Sequence, residues 1–304
     1  MLSPSIHQRF ADALDALVAG IKKDRSILAA ILCGSLSHDT VWEKSDIDLL
    51  LVTADDRNAK GSDIALNADG VNVHANLLPR AEFRKVVDGS VQNSFFHSLL
   101  AKGRLLFTHD ETIADLLSRL HDLGSRDSRL QQLRAAISAL PAIDKAHKWL
   151  ITRGDLDYAA LWILYAATPL AYIEVVGAGE IVDREAIPRA LTLNPSLFTT
   201  IYTDLLNVPK TAERVQTALT KIDDYLAERA PVLFAPVLEH LREAGEPRSA
   251  SELEEFFKRH FDVGCVVIAC EYLADRGLIA KVSVPARLTR RSTIDVQELA
   301  FFHP

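Results

Sequence analysis

The stretch from Cys33 to Val52, CGSLSHDTVWEKSDIDLLLV, gathers residue types that can handle phosphate. Gly34 and Ser35 follow an apolar run, ten residues intervene, and Asp46 and Asp48 then flank Ile47 at the start of a second apolar run. Side chains alternate along a strand with period two, so Asp46 and Asp48 share one face while Ile47 turns to the other. A pair of carboxylates offers hard oxygen donors. Such donors suit magnesium, with manganese as a substitute, because magnesium binds through a couple of carboxylates, waters and substrate phosphates. Gly34 permits a positive φ and a close backbone approach, so backbone N–H groups and the Ser35 hydroxyl can face phosphate oxygens. Attack of a hydroxyl on an α-phosphate is the chemistry this set supports. A Gly-Ser turn or an Asp-x-Asp pair alone would read as a plain turn and a solvated strand edge; the joint spacing between two apolar strands carries the functional reading.

The flanking elements must hold these residues in place. Ser5 to Lys22 has the periodicity of an amphipathic helix, Ser26 to Cys33 that of a short buried strand, and Asp46 to Thr53 that of a second strand. Asp63 to Asn67 and Val71 to Leu78 flank the turn Asp69-Gly70 as a hairpin. A helix enters after Pro79, Phe95 to Ala101 reads as helical, and Arg104 to Thr108 reads as an edge strand. This first region, residues 1–125, is therefore mixed α and β.

On these residues the chain resembles the nucleotidyltransferase superfamily of the polymerase-beta type, in its minimal form. The shared pattern is apolar-Gly-[Gly/Ser], nine to thirteen residues, then Asp-apolar-[Asp/Glu]-apolar; here it reads Cys33-Gly34-Ser35, ten residues, Asp46-Ile47-Asp48-Leu49. The resemblance implies an α+β fold with a mixed sheet, triphosphate binding at Gly34 and Ser35, and metal ligation by Asp46 and Asp48. It also implies a third acidic residue on a later strand. The equivalent strand, VNVHANLL, presents Asn72, His74 and Asn76 on its polar face, none of them acidic, and Asp69 lies in the preceding turn. His74 is the first candidate to stand in as a neutral base or ligand, ahead of Asn72 and Asn76. Without a third carboxylate, turnover is expected to be low or absent. Lys44, Arg80, Arg84 and Lys85 are the nearby cations, read first as surface charges.

Residues 126–230 lose strand alternation and carry long helical patterns, the mark of a helical bundle. They resemble the helical partner domains that follow minimal nucleotidyltransferases, including the HEPN type. The Arg-x(4-6)-His signature of that group's ribonucleases is missing, since His147 is the sole histidine in the segment. Trp149, Tyr158, Trp162 and Tyr165 sit at helical spacing and read as core before pocket. In residues 231–304 three helices close on a strand pair, which resembles a winged helix-turn-helix domain. Its third helix, within VGCVVIACEYLADRG, is apolar and acidic rather than suited to base edges. Lys258, Arg259, Arg287, Arg290 and Arg291 leave room only for weak contact with DNA phosphates.

The 304 residues exceed one typical domain, and 48% hydrophobic with 25% charged residues is the balance of a globular chain. A net charge of −7 argues against broad attachment to nucleic acid or to an acidic membrane face. Cys33, Cys265 and Cys270 form neither a CxxC pair nor an even framework, so a reduced, cytoplasmic setting is expected. The longest apolar stretch, Tyr158 to Gly179, contains Pro169 and Glu174 and reads as a buried helix rather than a membrane span. The expected function is binding of a nucleoside triphosphate with magnesium and nucleotidyl transfer to a hydroxyl on a small molecule, protein or nucleic acid. The alternative is an impaired nucleotide sensor whose winged helix contacts DNA or a protein partner.

Overall fold

The computed structural model describes residues 5–34, 36, 42–54, 61–89, 100, 103–119, 125–182, 185–289 and 291–304. Apart from Leu100, which is helical, the helix expected over Phe95 to Ala101 lies outside the described residues, as do Ser35 and Arg290. The chain divides into two compact units, Met1–Gly124 and Ser125–Pro304.

The first unit opens with helix α1 (Ile6–Ile21), whose N-cap Ser5 accepts a hydrogen bond from the Gln8 N–H at 3.2 Å. Phe10, Ala13 and Leu14, spaced for one helical face, are its buried residues. Strands β1 (Ile27–Cys33), β2 (Ile47–Thr53), β3 (Ser62–Ala68) and β4 (Val71–Pro79) follow, then helix α2 (Arg80–Gly89), strand β5 (Arg104–Thr108) and helix α3 (Glu111–Arg119). The sheet order is β3-β4-β2-β1-β5, with β2 and β4 parallel and the other pairs antiparallel, so the sheet is mixed.

Burial follows composition. In β1 and β2 the runs AAILC and LLLV are buried on both faces, whereas β4 alternates buried and exposed from Val71 to Ala75. One face of the sheet joins Phe10, Leu14, Leu32, Leu49 and Val73 in a single cluster. The other face carries Cys33, Asp48 and His74 in one lateral row. The β3–β4 turn is a two-residue connection with φ +48° at Asp69 and +80° at Gly70, the left-handed pair that suits the strand twist.

The second unit is helical, with a small sheet near its end. Helices α4 (Ser125–Arg153) and α5 (Leu156–Gly177) lead it, and Asp155 caps α5 by accepting from the Tyr158 N–H at 2.9 Å. By length and composition α5 is apolar enough to cross a membrane, and 56% of its apolar window is buried within this unit. Short helices α6 (Ala186–Leu193), α7 (Pro195–Phe198) and α8 (Asp204–Asn207), with a π-helical turn at Thr199–Thr203, lead to α9 (Ala212–Leu233) and α10 (Ala235–Ala244). Strand β6 (Arg248–Ser249), helices α11 (Ala250–Phe261) and α12 (Val266–Asp275), and strands β7 (Ala280–Ala286) and β8 (Val296–Phe302) complete the chain, with sheet order β6-β8-β7. Ser249 and Glu252 close a reciprocal capping box on α11. One continuous core runs from Leu130 to Phe301, so the helical middle and the final seventy residues pack together.

His147 on α4 meets Asp223 on α9, Nε2 to Oδ2, at 2.9 Å. The hydrogen bond to Asp223 raises the imidazole pKa, the charges of Asp223 and Asp144 add to the rise, and partial burial opposes it. A raised folded pKa means that the ion pair stabilises fully below the ordinary imidazole value of 6.5 and fades as pH climbs through the folded value. Between about pH 6 and about pH 9 the wild type is expected to lose on the order of 1 kcal/mol more stability than His147→Gln. Urea unfolding at both pH values measures it, and equal losses would remove His147 as the cause.

Candidate functional site

The site is built where β1 ends and β2 begins. Antiparallel pairing sets Cys33 opposite Asp48, and the parallel β2–β4 register sets His74 on the other side of Asp48. Neighbours in register point to the same face, so Cys33, Asp48 and His74 form a row across three strands. Gly34 then leaves the sheet with φ +69°. A Cβ placed on Gly34 would lie 2.1 Å from Asp48 Oδ2 and 3.0 Å from Asp48 Cγ. The carboxylate therefore rests against the bare Cα of Gly34, in space that any other residue would fill.

Asp46 sits just before β2, and its Oδ2 is 3.7 Å from His74 Nε2, with the His74 side chain 61% exposed. The structure thus gathers Gly34, Asp46, Asp48 and His74, while Ser35 lies outside the described residues. Asn72 and Asn76 lie two residues to either side of His74 on the same strand face. Leu50, not Asp48, is the β2 partner of Asn76. Asp69 stays in the hairpin turn beyond Val71, which is itself roughly 10 Å along the strand from His74 at about 3.3 Å per residue.

Cys33 is buried, and that burial, reinforced by the charge of Asp48, pushes its thiol up to about 12. It is packing and not a nucleophile. Arg80, one of the candidate cations, is engaged elsewhere: its Nε is 2.7 Å from Asp110 Oδ2 and it donates to Thr112 Oγ1 at 3.2 Å. Arg84 and Lys85 are exposed on α2. Lys44 lies 5.8 Å over the ring of Trp42, itself 62% exposed. A turn joins Trp42 to Ser45: the Ser45 N–H donates to the Trp42 carbonyl at 2.9 Å, and the Trp42 N–H donates to Ser45 Oγ at 3.1 Å. An exposed tryptophan is thereby fixed four residues before Asp46.

Two residues of this region escaped the reading from sequence. Trp42 had only its lone aromatic character as a signal. Asp63 had a stronger one, because a two-residue turn at Asp69-Gly70 fixes the hairpin register and sets Asp63 opposite Asn76. Asn76 Nδ2 donates to Asp63 Oδ1 at 2.6 Å. Asp63 is separated from Asp48 by β4 and shifted along the sheet, so it does not replace the missing carboxylate.

Comparison with known proteins bears on this geometry. The polymerase beta, nucleotidyltransferase family matches residues 16–112, which contain the whole row and the turn at Gly34. The amino-terminal domain belongs to the polymerase-beta nucleotidyltransferase superfamily. A nucleotidyltransferase-like protein from Exiguobacterium sibiricum 255-15 has a similar fold, with a TM-score of 0.64 at 16% identity over 97% of this chain and 99% of that one. No curated protein matches the chain.

Nucleotidyltransferase domains of this superfamily typically use divalent metals. Among the described residues no three His, Cys, Asp or Glu side chains already converge on one point. What the domain offers is a pair of carboxylates, one packed on Gly34 and the other beside an imidazole. That set fits a cation that arrives with phosphate and water as its remaining ligands.

The Gly34 contact is directly testable. Gly34→Ala must place a side chain in the left-handed region, at about 1–2 kcal/mol, and must also displace the Asp48 carboxylate. Gly70→Ala has φ +80° with nothing within 4 Å of its Cβ and meets the backbone cost alone. Thermal unfolding is expected to show a larger loss for Gly34→Ala; equal losses would mean that the Gly34 and Asp48 contact is not tight.

Proposed function

We propose that the amino-terminal domain binds a nucleoside triphosphate with a divalent cation, magnesium in the first instance, and transfers its nucleotidyl group to a hydroxyl-bearing acceptor. The observation behind this is the packing of Asp48 against Gly34, with Asp46 two residues away. It seats one carboxylate of the pair against the turn at Gly34, whose positive φ supports the turning of backbone N–H groups toward phosphate oxygens. When bound, the cation neutralises charge on the phosphate oxygens. The acceptor oxygen forms a bond to the α-phosphorus, the bond from that phosphorus to the α,β-bridging oxygen breaks, pyrophosphate leaves, and the hydroxyl proton passes to solvent.

Asp46 and Asp48 hold the cation, Gly34 and Ser35 border the triphosphate, and Trp42 offers a face on which a base stacks irrespective of its identity. A second reading, a nucleotide sensor with little turnover, is favoured by one observation. The site face of β4 carries Asn72, His74 and Asn76 and no carboxylate.

The carboxy-terminal elements support a winged-helix-like module that meets protein before DNA. Helix α12 exposes Glu271 and Asp275, and two of the candidate cations are already paired, Lys258 with Asp262 and Arg287 with Asp295, as is the neighbouring Lys281 with Glu271. Any DNA contact through Arg259 and Arg291 would be weak and dependent on salt. A cytoplasmic setting rests on the cysteine spacing, three residues with neither a CxxC pair nor an even framework.

Calorimetric titration of ATP with magnesium tests the site. Asp46→Asn and Asp48→Asn are each expected to weaken binding and to abolish its magnesium dependence, and Trp42→Ala to cost about 1–3 kcal/mol without touching that dependence. Unchanged affinity in both folded Asp variants would overturn the assignment. Binding without transfer of labelled nucleotide would favour the sensor.

A further inference from the structure

His74 stands beside Asp48 on the polar face of β4 and next to Asp46. Its Cα partner across β2 is Asp48, its partner across β3 is Ala65, and its Nε2 is 3.7 Å from Asp46 Oδ2. That separation is too long for a hydrogen bond, so the imidazole is not consumed by Asp46. It also falls within the span of about 3–4 Å that two donors of one ion keep when each bond is about 2.0–2.1 Å. The ring is exposed, and its neighbours on the strand face are the amides of Asn72 and Asn76. No other charged side chain of β4 stands on that face to compete for a cation.

Donor chemistry then sets the choice of ion. Magnesium demands oxygen ligands in near-ideal octahedral geometry and parts with water reluctantly. Imidazole nitrogen instead suits the borderline first-row ions, and mixed nitrogen and oxygen sites follow the affinity order that rises from manganese towards copper. We propose that Asp46 Oδ2 and His74 Nε2 form the protein side of a second cation seat, one that selects a first-row transition ion over magnesium. This rests on the reading that Asp46 and Asp48 receive a nucleotide-bound cation. It makes His74 the residue that sets metal specificity, with Asp46 shared between this seat and the magnesium that it holds with Asp48.

The test uses the full chain, stripped with chelator and saturated with a non-hydrolysable ATP analogue and magnesium. Cobalt chloride is then titrated in while its visible absorption is followed, with magnesium chloride in excess as competitor. Wild type is expected to take up cobalt that magnesium does not displace, with a visible band whose position differs from that given by His74→Ala. His74→Ala should weaken that binding by at least the roughly 10-fold that even loss of an outer partner costs a metal site. Its calorimetric affinity for the analogue with magnesium should fall less than that of Asp48→Asn. His74→Asp should let magnesium compete, and it keeps the proposal testable should His74→Ala fold poorly. Cobalt binding that is the same in wild type and His74→Ala, or that magnesium displaces fully from wild type, would overturn the seat. Loss of analogue binding in Asp48→Asn alongside that result would leave the underlying nucleotide site standing. Analogue binding that ignores Asp48→Asn would remove both.

Discussion

The Asp48 carboxylate lies where a Cβ of residue 34 would be. This single close approach couples the end of β1 to the start of β2 and determines how the rest of the site is arranged. It requires a glycine in the left-handed region, an Asp on the second position of β2, and the antiparallel register that sets Cys33 opposite Asp48. The surrounding apolar strands supply the rigidity. Ile31, Leu32, Ile47 and Leu50 are almost wholly buried, so a shift of β2 by one residue would carry Ile47 out to the site and Asp48 into the core. Burying an unpaired carboxylate is expensive enough to enforce the register.

The same face of the sheet changes character along its length. Around Leu50, Val52 and Leu78 it is buried, with Phe83 and Val87 of α2 in the core, and towards His74 and Asn72 it opens to solvent. The polar row thus stands at the margin of an apolar surface.

The second unit handles polarity differently. Its apolar helix α5 carries two acids, Asp157 exposed in its first turn and Glu174 only 14% exposed. Asn194 Nδ2 donates to Glu174 Oε1 at 3.2 Å, Arg229 approaches to 3.7 Å, and the Arg229 guanidinium lies 4.1 Å from the Tyr225 ring centre. Burial and the charge of Glu174 raise the Tyr225 pKa above its ordinary value. A buried acid is thus matched by an amide and a cation from two other segments, which pins α5 to α9 and to the start of α7 with directional contacts that apolar packing lacks. The aromatic series Trp149, Tyr158, Trp162 and Tyr165 packs edge to face, with centroids 4.6, 6.1 and 5.4 Å apart. Trp149 and Trp162 are partly buried against the core, and Tyr165 is exposed.

Sequence by itself determined the elements and the motif, because both rest on local physics. Period-two alternation put Asp46 and Asp48 on one face, apolar runs marked β1 and β2, and the Asp69-Gly70 pair encoded a two-residue turn that fixes the β3–β4 register. It also revealed that β4 has no carboxylate on its polar face. Tertiary structure alone decided that β4 lies parallel to β2 with His74, not Asn72 or Asn76, beside Asp48. That pairing is non-local: the strands are joined through β3, and no turn chemistry sets their offset. The place of Asp63 in the sheet was legible in part, since its partner followed from the turn but its distance from Asp48 did not. In the second unit the helices were written in their periodicity, whereas their merging with the final sheet into one core was not. Which apolar faces meet depends on the shape of the whole packed set, and no short stretch of sequence carries that information.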